Sequence, residues 1–134
     1  MKAMWIGLFG GILFGLATGC GSSGTSCDQP TAIAGTWKGS VQDQEFGSGT
    51  LELDLTQSTC SIVGSGTLCF GNQCNNGSFN GRVNGSAFSG RLSTSSLCPL
   101  DLSATVFESS AMAGSYQSPS CPQPESATFK ISRQ

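Results

Sequence analysis

The side chains best equipped for chemistry in this chain are seven cysteines and eight carboxylates, and no histidine accompanies them. Without an imidazole, neither a Ser-His-Asp nor a Cys-His nucleophilic centre can be assembled. The carboxylates are Asp28, Asp43, Glu45, Glu52, Asp54, Asp101, Glu108 and Glu125. Glu52 and Asp54 stand two apart in an alternating segment, so both point to one outward face, whereas paired-carboxylate hydrolysis needs opposed groups across a cleft. Asp43 and Glu45 lie beside Gln42 and Gln44 in a stretch with loop character, where at most they could help to hold a calcium ion. Cys69 and Cys74 are spaced near the interval of zinc ligands, but no second close cysteine pair exists to complete a tetrahedral site. No glycine-rich loop leads into a helix with a lysine, so no phosphate cradle is expected. These residues point to a protein that is not an enzyme and needs no metal or cofactor.

Charge narrows the partners. Charged residues are 10% of the chain, against about 25% in ordinary globular proteins. Lys38, Arg82, Arg91, Lys130 and Arg133 are scattered singly, without the clustering that a nucleic acid requires, so no nucleic-acid partner is expected. Apolar residues still make up 37% and recur in patterns, which separates the chain from charge-rich disordered sequences.

Met1–Cys20 falls into three zones: Lys2, an apolar run from Met4 to Leu16, and the small residues Ala17-Thr18-Gly19. That is the layout of a secretory signal, and the run is short for a spanning helix, which needs about 20 apolar residues. The segment Leu16-Ala17-Thr18-Gly19-Cys20 resembles the lipobox of bacterial lipoprotein precursors in a permissive form, with the leucine four residues before the cysteine and Ala17 at its usual place. The resemblance implies cleavage after Gly19 and attachment of lipid, palmitate among its acyl chains, to Cys20. Gly21 is not the aspartate that retains such proteins at the inner membrane, so the resemblance implies a cell-envelope address at the outer membrane, facing periplasm or surface. Cysteine arithmetic agrees, since seven is odd and lipidation of Cys20 leaves six to pair. The expected organisation is a signal over 1–19, the lipidated cysteine with a flexible Gly/Ser tether over 20–34, and one domain over 35–134.

That domain reads as all-β. In Thr50–Thr56, Leu51, Leu53 and Leu55 alternate with Glu52 and Asp54, the period-two mark of a half-buried antiparallel strand, and 128–132 alternates likewise. A large-x-Gly-x-large pattern recurs at Trp37-Gly39-Val41, Phe79-Gly81-Val83, Phe88-Gly90-Leu92 and Met112-Gly114-Tyr116, with a partial copy at Ile62-Gly64 extended by Gly66 and Leu68. Glycines repeated on one face suit a tightly curved sheet whose interior alternates small and large residues. Strands are predicted at 35–41, 49–57, 59–68, 77–83, 86–93, 100–108, 110–117 and 125–132, with Asn84-Gly85 as the clearest hairpin turn. Asn76 and Asn84 each open a glycosylation triplet but are read as turn residues. Eight strands with short connections close into an antiparallel up-and-down meander barrel; periodicity alone leaves a β-sandwich open as the alternative. Gly35-Thr36-Trp37 resembles the opening of lipocalins and avidins, which implies the barrel but not biotin binding, since Trp37 is the single tryptophan of 35–134.

The hairpin order selects one of the fifteen pairings open to six cysteines. It brings Cys98 towards Cys121 and Cys27 towards Cys60, and lets Cys69 and Cys74 close a short loop. Trp37, Phe79, Phe88, Met112, Tyr116 and Phe129 are the large inward candidates. They are expected to be core; if the interior glycines leave space, they instead line a pocket for a small apolar ligand. The leading functional expectation is an envelope component acting through protein contacts, anchored in the membrane by its N-terminal lipid. Lipocalin- or avidin-like ligand binding is the alternative.

Overall fold

A computed structural model describes residues 27, 29–95, 98–121 and 126–134. The signal segment, Cys20, residues 21–26, Asp28 and Glu125 lie outside the described residues. Eight strands follow in chain order: β1 Gly35–Asp43, β2 Gly47–Ser58, β3 Ser61–Phe70, β4 Gln73–Asn84, β5 Ala87–Thr94, β6 Leu100–Phe107, β7 Ala111–Gln117 and β8 Ser126–Arg133. Each pairs antiparallel with the next, and β1 pairs with both β2 and β8, so the sheet is a closed barrel and the sandwich alternative falls. Trp37 sits opposite Leu53 on one side and Arg133 on the other. Closure leaves no strand edge unpaired.

The alternation seen in the sequence sets the faces. Leu51, Leu53 and Leu55 of β2 are buried in one core with Trp37, Val41, Ile62, Leu68, Phe79, Val83, Phe88 and Leu92. Outward positions carry exposed Ser65, Ser78, Asn80, Ser89, Ser103 and Thr128. An apolar interior within a hydroxyl-rich exterior is the reverse of a membrane-spanning barrel, which turns an apolar band outward.

The repeated glycines serve close approach between strands. A Cβ on Gly39 would lie 1.9 Å from the Lys130 carbonyl oxygen, and one on Gly114 would lie 2.0 Å from that of Ser103. These are distances no real side chain tolerates, so a strand can bend in towards its neighbour only there. Other interior glycines are roofed by large neighbours: a Cβ on Gly90 would meet the Phe79 ring at 2.3 Å, and one on Gly66 would meet Leu53 and Leu92 at 2.9 Å.

Two turn assignments change. β3 and β4 run further than expected, to a ladder ending at Phe70 opposite Gln73. Cys69 and Cys74 are therefore cross-strand neighbours, and Gly71, with φ of 62°, opens the two-residue turn. The polar Asn75 and Asn76 hid this part of β4 by interrupting the apolar alternation. Asn76 is thus in a strand, where it accepts a hydrogen bond from the Thr67 hydroxyl at 2.7 Å. At the β4–β5 hairpin, Asn84 pairs with Ala87, so the turn is Gly85-Ser86, with Gly85 at φ of 60°.

One end of the barrel is closed by the strap 29–34. Ile33 is fully buried in the core. Thr31 donates to the Gly85 carbonyl through its amide at 3.2 Å and its hydroxyl at 2.6 Å. The Ile33 amide donates to Gln57 Oε1 at 2.7 Å, and Gln57 Nε2 donates to the Thr31 carbonyl at 3.0 Å. The strap is fastened to two turns of this end and is part of the folded body.

Candidate functional site

Trp37, Phe79, Phe88, Met112, Tyr116 and Phe129, the six inward candidates, all point into the barrel and share one core. A void large enough for a water molecule would leave accessible area on the side chains around it. Each of the six is at most 1% exposed. Phe79 and Phe88 stack at 5.3 Å between centroids, and Phe79 fills the space over Gly81 and Gly90. These six residues therefore pack as core, and the glycines between them are occupied by neighbouring rings and leucines.

The interior nevertheless holds one acidic group. Asp43 is 6% exposed, because the alternation of Trp37, Gly39 and Val41 continues inward to it. Its Oδ1 accepts from the amides of Glu45 at 2.8 Å and Phe46 at 3.1 Å, and its Oδ2 accepts from the Tyr116 hydroxyl at 2.6 Å. Asp43 fastens the β1–β2 turn to β7, which corrects its expected place in a loop available to calcium. The sequence did hold the signal: Asp43 lies six residues after Trp37 and so on the same strand face.

At the closed end Arg133 has a comparable task. Its guanidinium lies 4.8 Å from the Trp37 ring centroid and donates to the carbonyls of Ala32, Ala34 and Ser109. The Trp37 indole N–H donates to the Ile33 carbonyl at 2.9 Å. One tryptophan and one arginine thus hold the strap across the barrel. Arginine suits the position because its planar fork reaches several acceptors while its face stacks on indole. Nothing in the spacing of Trp37 and Arg133 singles out this pair, since barrel closure alone brings β1 and β8 together.

The remaining charges stay outside. Glu52 and Asp54 face outward from β2, and Asp54 accepts from the Thr36 hydroxyl. Arg91 and Asp101 form an exposed two-point pair across β5 and β6, with nitrogen–oxygen distances of 2.8 and 3.3 Å. Its hydrogen bond holds the Asp101 carboxyl below the usual carboxylate range and raises the Arg91 guanidinium. Among the described residues no three Cys, Asp or Glu converge as metal ligands. The cysteines form Cys27–Cys60, Cys69–Cys74 and Cys98–Cys121, the pairs expected from hairpin order.

Two of the grooves on the outer wall lie along β7 and β8. One, of about 480 Å³, lies between Phe107 and Lys130 over Ala111 and Ala113; the other, of about 350 Å³, lies among Gln42, Gln44, Ser115 and Thr128. The first arises because Ala111 and Ala113 of β7 are small beside Phe107 of β6 and Lys130 of β8. Phe107 is 50% exposed and walls the first groove; Phe46, at the other end of the barrel, is 52% exposed and packs on Phe70 at 5.3 Å.

No family model matches the chain, and no curated protein matches it. Among solved structures the chain is similar to that of EF1p2_mFAP2b bound to DFHBI. The TM-score is 0.63 at 14% identity, over 76% of this chain and 94% of that one. At this identity the likeness is one of fold alone.

Proposed function

We propose that this chain is a lipid-anchored cell-envelope protein whose barrel acts by contact and not by catalysis. In this reading residues 1–19 direct export, Cys20 carries the lipid, and 21–26 tether the domain at the outer membrane, the strap 29–34 being part of the folded body. The observation that carries it is the pairing of the cysteines. Cys27, Cys60, Cys69, Cys74, Cys98 and Cys121 are consumed in three disulfides, so the seventh, Cys20, is left over within the lipobox-like segment. Disulfides also fit an exported protein. The filled interior and hydroxyl-rich wall support work done at the outer surface.

The test is expression of the full chain in a Gram-negative host with labelled palmitate. Incorporation that Cys20→Ser abolishes, with loss of the protein from the membrane fraction, is the expected result. A mature protein that starts at Cys20 without lipid, or one released in soluble form, overturns the anchor.

The fold shared with a DFHBI-binding barrel favours a second reading, the capture of a small apolar ligand against Trp37, Phe79, Phe88, Met112, Tyr116 and Phe129. Those side chains are packed on one another, so a ligand there must displace them. Native mass spectrometry of residues 21–134 from an oxidising compartment separates the readings. A reproducible added mass supports the ligand, and a bare monomer lacking six hydrogens supports the contact protein.

A further inference from the structure

If Cys20 is the anchor, the Cys27–Cys60 disulfide fixes the end of the barrel from which the tether leaves. Only six residues, 21–26, separate Cys20 from Cys27. Fully extended, the step from Cys20 to Cys27 spans about 25 Å. Cys27 is bonded to Cys60 in the turn between β2 and β3, at the end closed by the strap. The strap continues from there across the same end, held by Gly85, Gln57 and Arg133. The tether therefore cannot pay out further, and the far end, with Phe46 and Phe70, lies one barrel height beyond the point where it leaves, about 20–25 Å for tilted strands of this length.

The closed end also carries the wall feature best suited to lipid. The β6–β7 turn lies there, since the Arg133 amide donates to the Ser110 carbonyl and the Val106 amide to that of Ser86. Phe107, half exposed, precedes this turn and walls the apolar groove over Ala111 and Ala113. Lys130 forms the opposite wall. A phenylalanine ring suits burial at the boundary of headgroups and acyl chains, and a lysine stem covers apolar surface while its ammonium reaches a phosphate.

We propose that the closed end of the barrel faces the bilayer, with Phe107 and the Ala111–Ala113 groove at the boundary of headgroups and acyl chains and Lys130 on a lipid phosphate. The partner is a phospholipid surface. The inference rests on the lipid anchor at Cys20 and adds an orientation to it. The far end, with the exposed Phe46, is then the face turned towards other molecules.

The test uses the full chain, processed and lipidated in a Gram-negative host, then reconstituted into vesicles of phosphatidylethanolamine and phosphatidylglycerol. The variants F107W and F46W place a reporter on an exposed side chain at either end, against a background of the buried Trp37. Flotation first reports the anchor. In floated protein, F107W fluorescence is expected to shift to the blue and to be quenched by brominated acyl chains, while F46W is not. Adding Lys130→Gln to F107W is expected to lower the docking equilibrium about fivefold, matching the loss of about 1 kcal/mol per basic residue near an anionic surface. Protein that does not float ends the anchor reading and the orientation with it. Protein that floats with F107W unquenched, or with F46W quenched instead, overturns the orientation alone. A blue shift insensitive to brominated lipid, with a dimer in solution, assigns the groove to a second copy and also overturns it.

Discussion

Tyr116 and Asp43 meet over Ala127: the two residues are the register partners of Ala127 on opposite sides of β8, and the Tyr116 hydroxyl donates to Asp43 Oδ2 at 2.6 Å. The methyl side chain of Ala127 leaves the space through which they reach each other, 73 residues apart in sequence. Hydrogen bonds to a charged group are worth about 1.5–3 kcal/mol, and a buried acceptor left short costs more than one that never needed a partner. Tyr116→Phe is therefore expected to destabilise the domain by about 2 kcal/mol in urea unfolding. In a double-mutant cycle with Asp43→Asn the losses should not add. Additive losses would show that the contact contributes nothing of its own.

Gly39 illustrates what the repeated glycines do. A Cβ there would overlap the Lys130 carbonyl at 1.9 Å, so Gly39→Ala must push β1 and β8 apart. Overpacking of this kind costs about 1–3 kcal/mol or more. Gly71→Ala is the matching control, because a Cβ there meets nothing within 4 Å and carries only the strain of a positive φ. That strain is about 1 kcal/mol. A lower midpoint of thermal unfolding for Gly39→Ala than for Gly71→Ala is expected, and the opposite order would refute a close-approach role for Gly39.

These glycines also show what sequence can convey. Trp37-Gly39-Val41 and its repeats announced both the inward face and the curvature, because sterics at a strand crossing are local and leave only glycine. The disulfide pairs were legible for a related reason: hairpin order alone brings Cys98 to Cys121 and Cys27 to Cys60. The face of Asp43 was legible from its spacing to Trp37, but its role was not, because its partner Tyr116 lies 73 residues away. Arg133 was equally silent, since its acceptors are backbone carbonyls, which sequence does not distinguish. The groove over Ala111 and Ala113 depends on the relative size of side chains from three strands, a property no single segment displays.

Arg133 ties the strap to the barrel through the carbonyls of Ala32, Ala34 and Ser109 while stacking on Trp37. Arg133→Lys keeps the charge but loses the planar fork, so it should behave more like Arg133→Ala than like wild type. Each is expected to cost about 1.5–3 kcal/mol. Amide hydrogen exchange should quicken at Thr31 and Ile33, while the amides of β3 and β4 keep their order of protection. Full rescue by lysine would reduce the role of Arg133 to simple charge.

The exposed pair of Arg91 and Asp101 gives a directional prediction in pH. Because the hydrogen bond from Arg91 lowers the folded-state pKa of Asp101, any stabilisation it provides is present above the ordinary carboxylate pKa. It is lost as pH falls through the lowered value. By carboxyl-carbon NMR, Asp101 should titrate below a reference aspartate, and Arg91→Gln should move its midpoint upward. An unmoved midpoint would show that the pair is not formed in solution.

The three disulfides should differ in worth with the length of chain they close. The bridged cysteines are separated by 33 residues in Cys27–Cys60, 23 in Cys98–Cys121 and 5 in Cys69–Cys74. Loop-closure entropy scales these to about 3.7, 3.4 and 2 kcal/mol. Paired replacement by serine should follow that order in denaturant midpoints. Cys69 and Cys74 face each other at 4.0 Å between Cα atoms within a ladder that the backbone already holds, so their loss should leave the barrel folded. Loss of Cys27–Cys60 has a second consequence, because it lengthens the tether, which is then held at the closed end only from Thr31 onward. In vesicles that variant should keep its anchor, yet show weaker bromolipid quenching of F107W. A quenching level unchanged from the intact protein would separate the orientation of the barrel from the disulfide and remove the structural reason given for it.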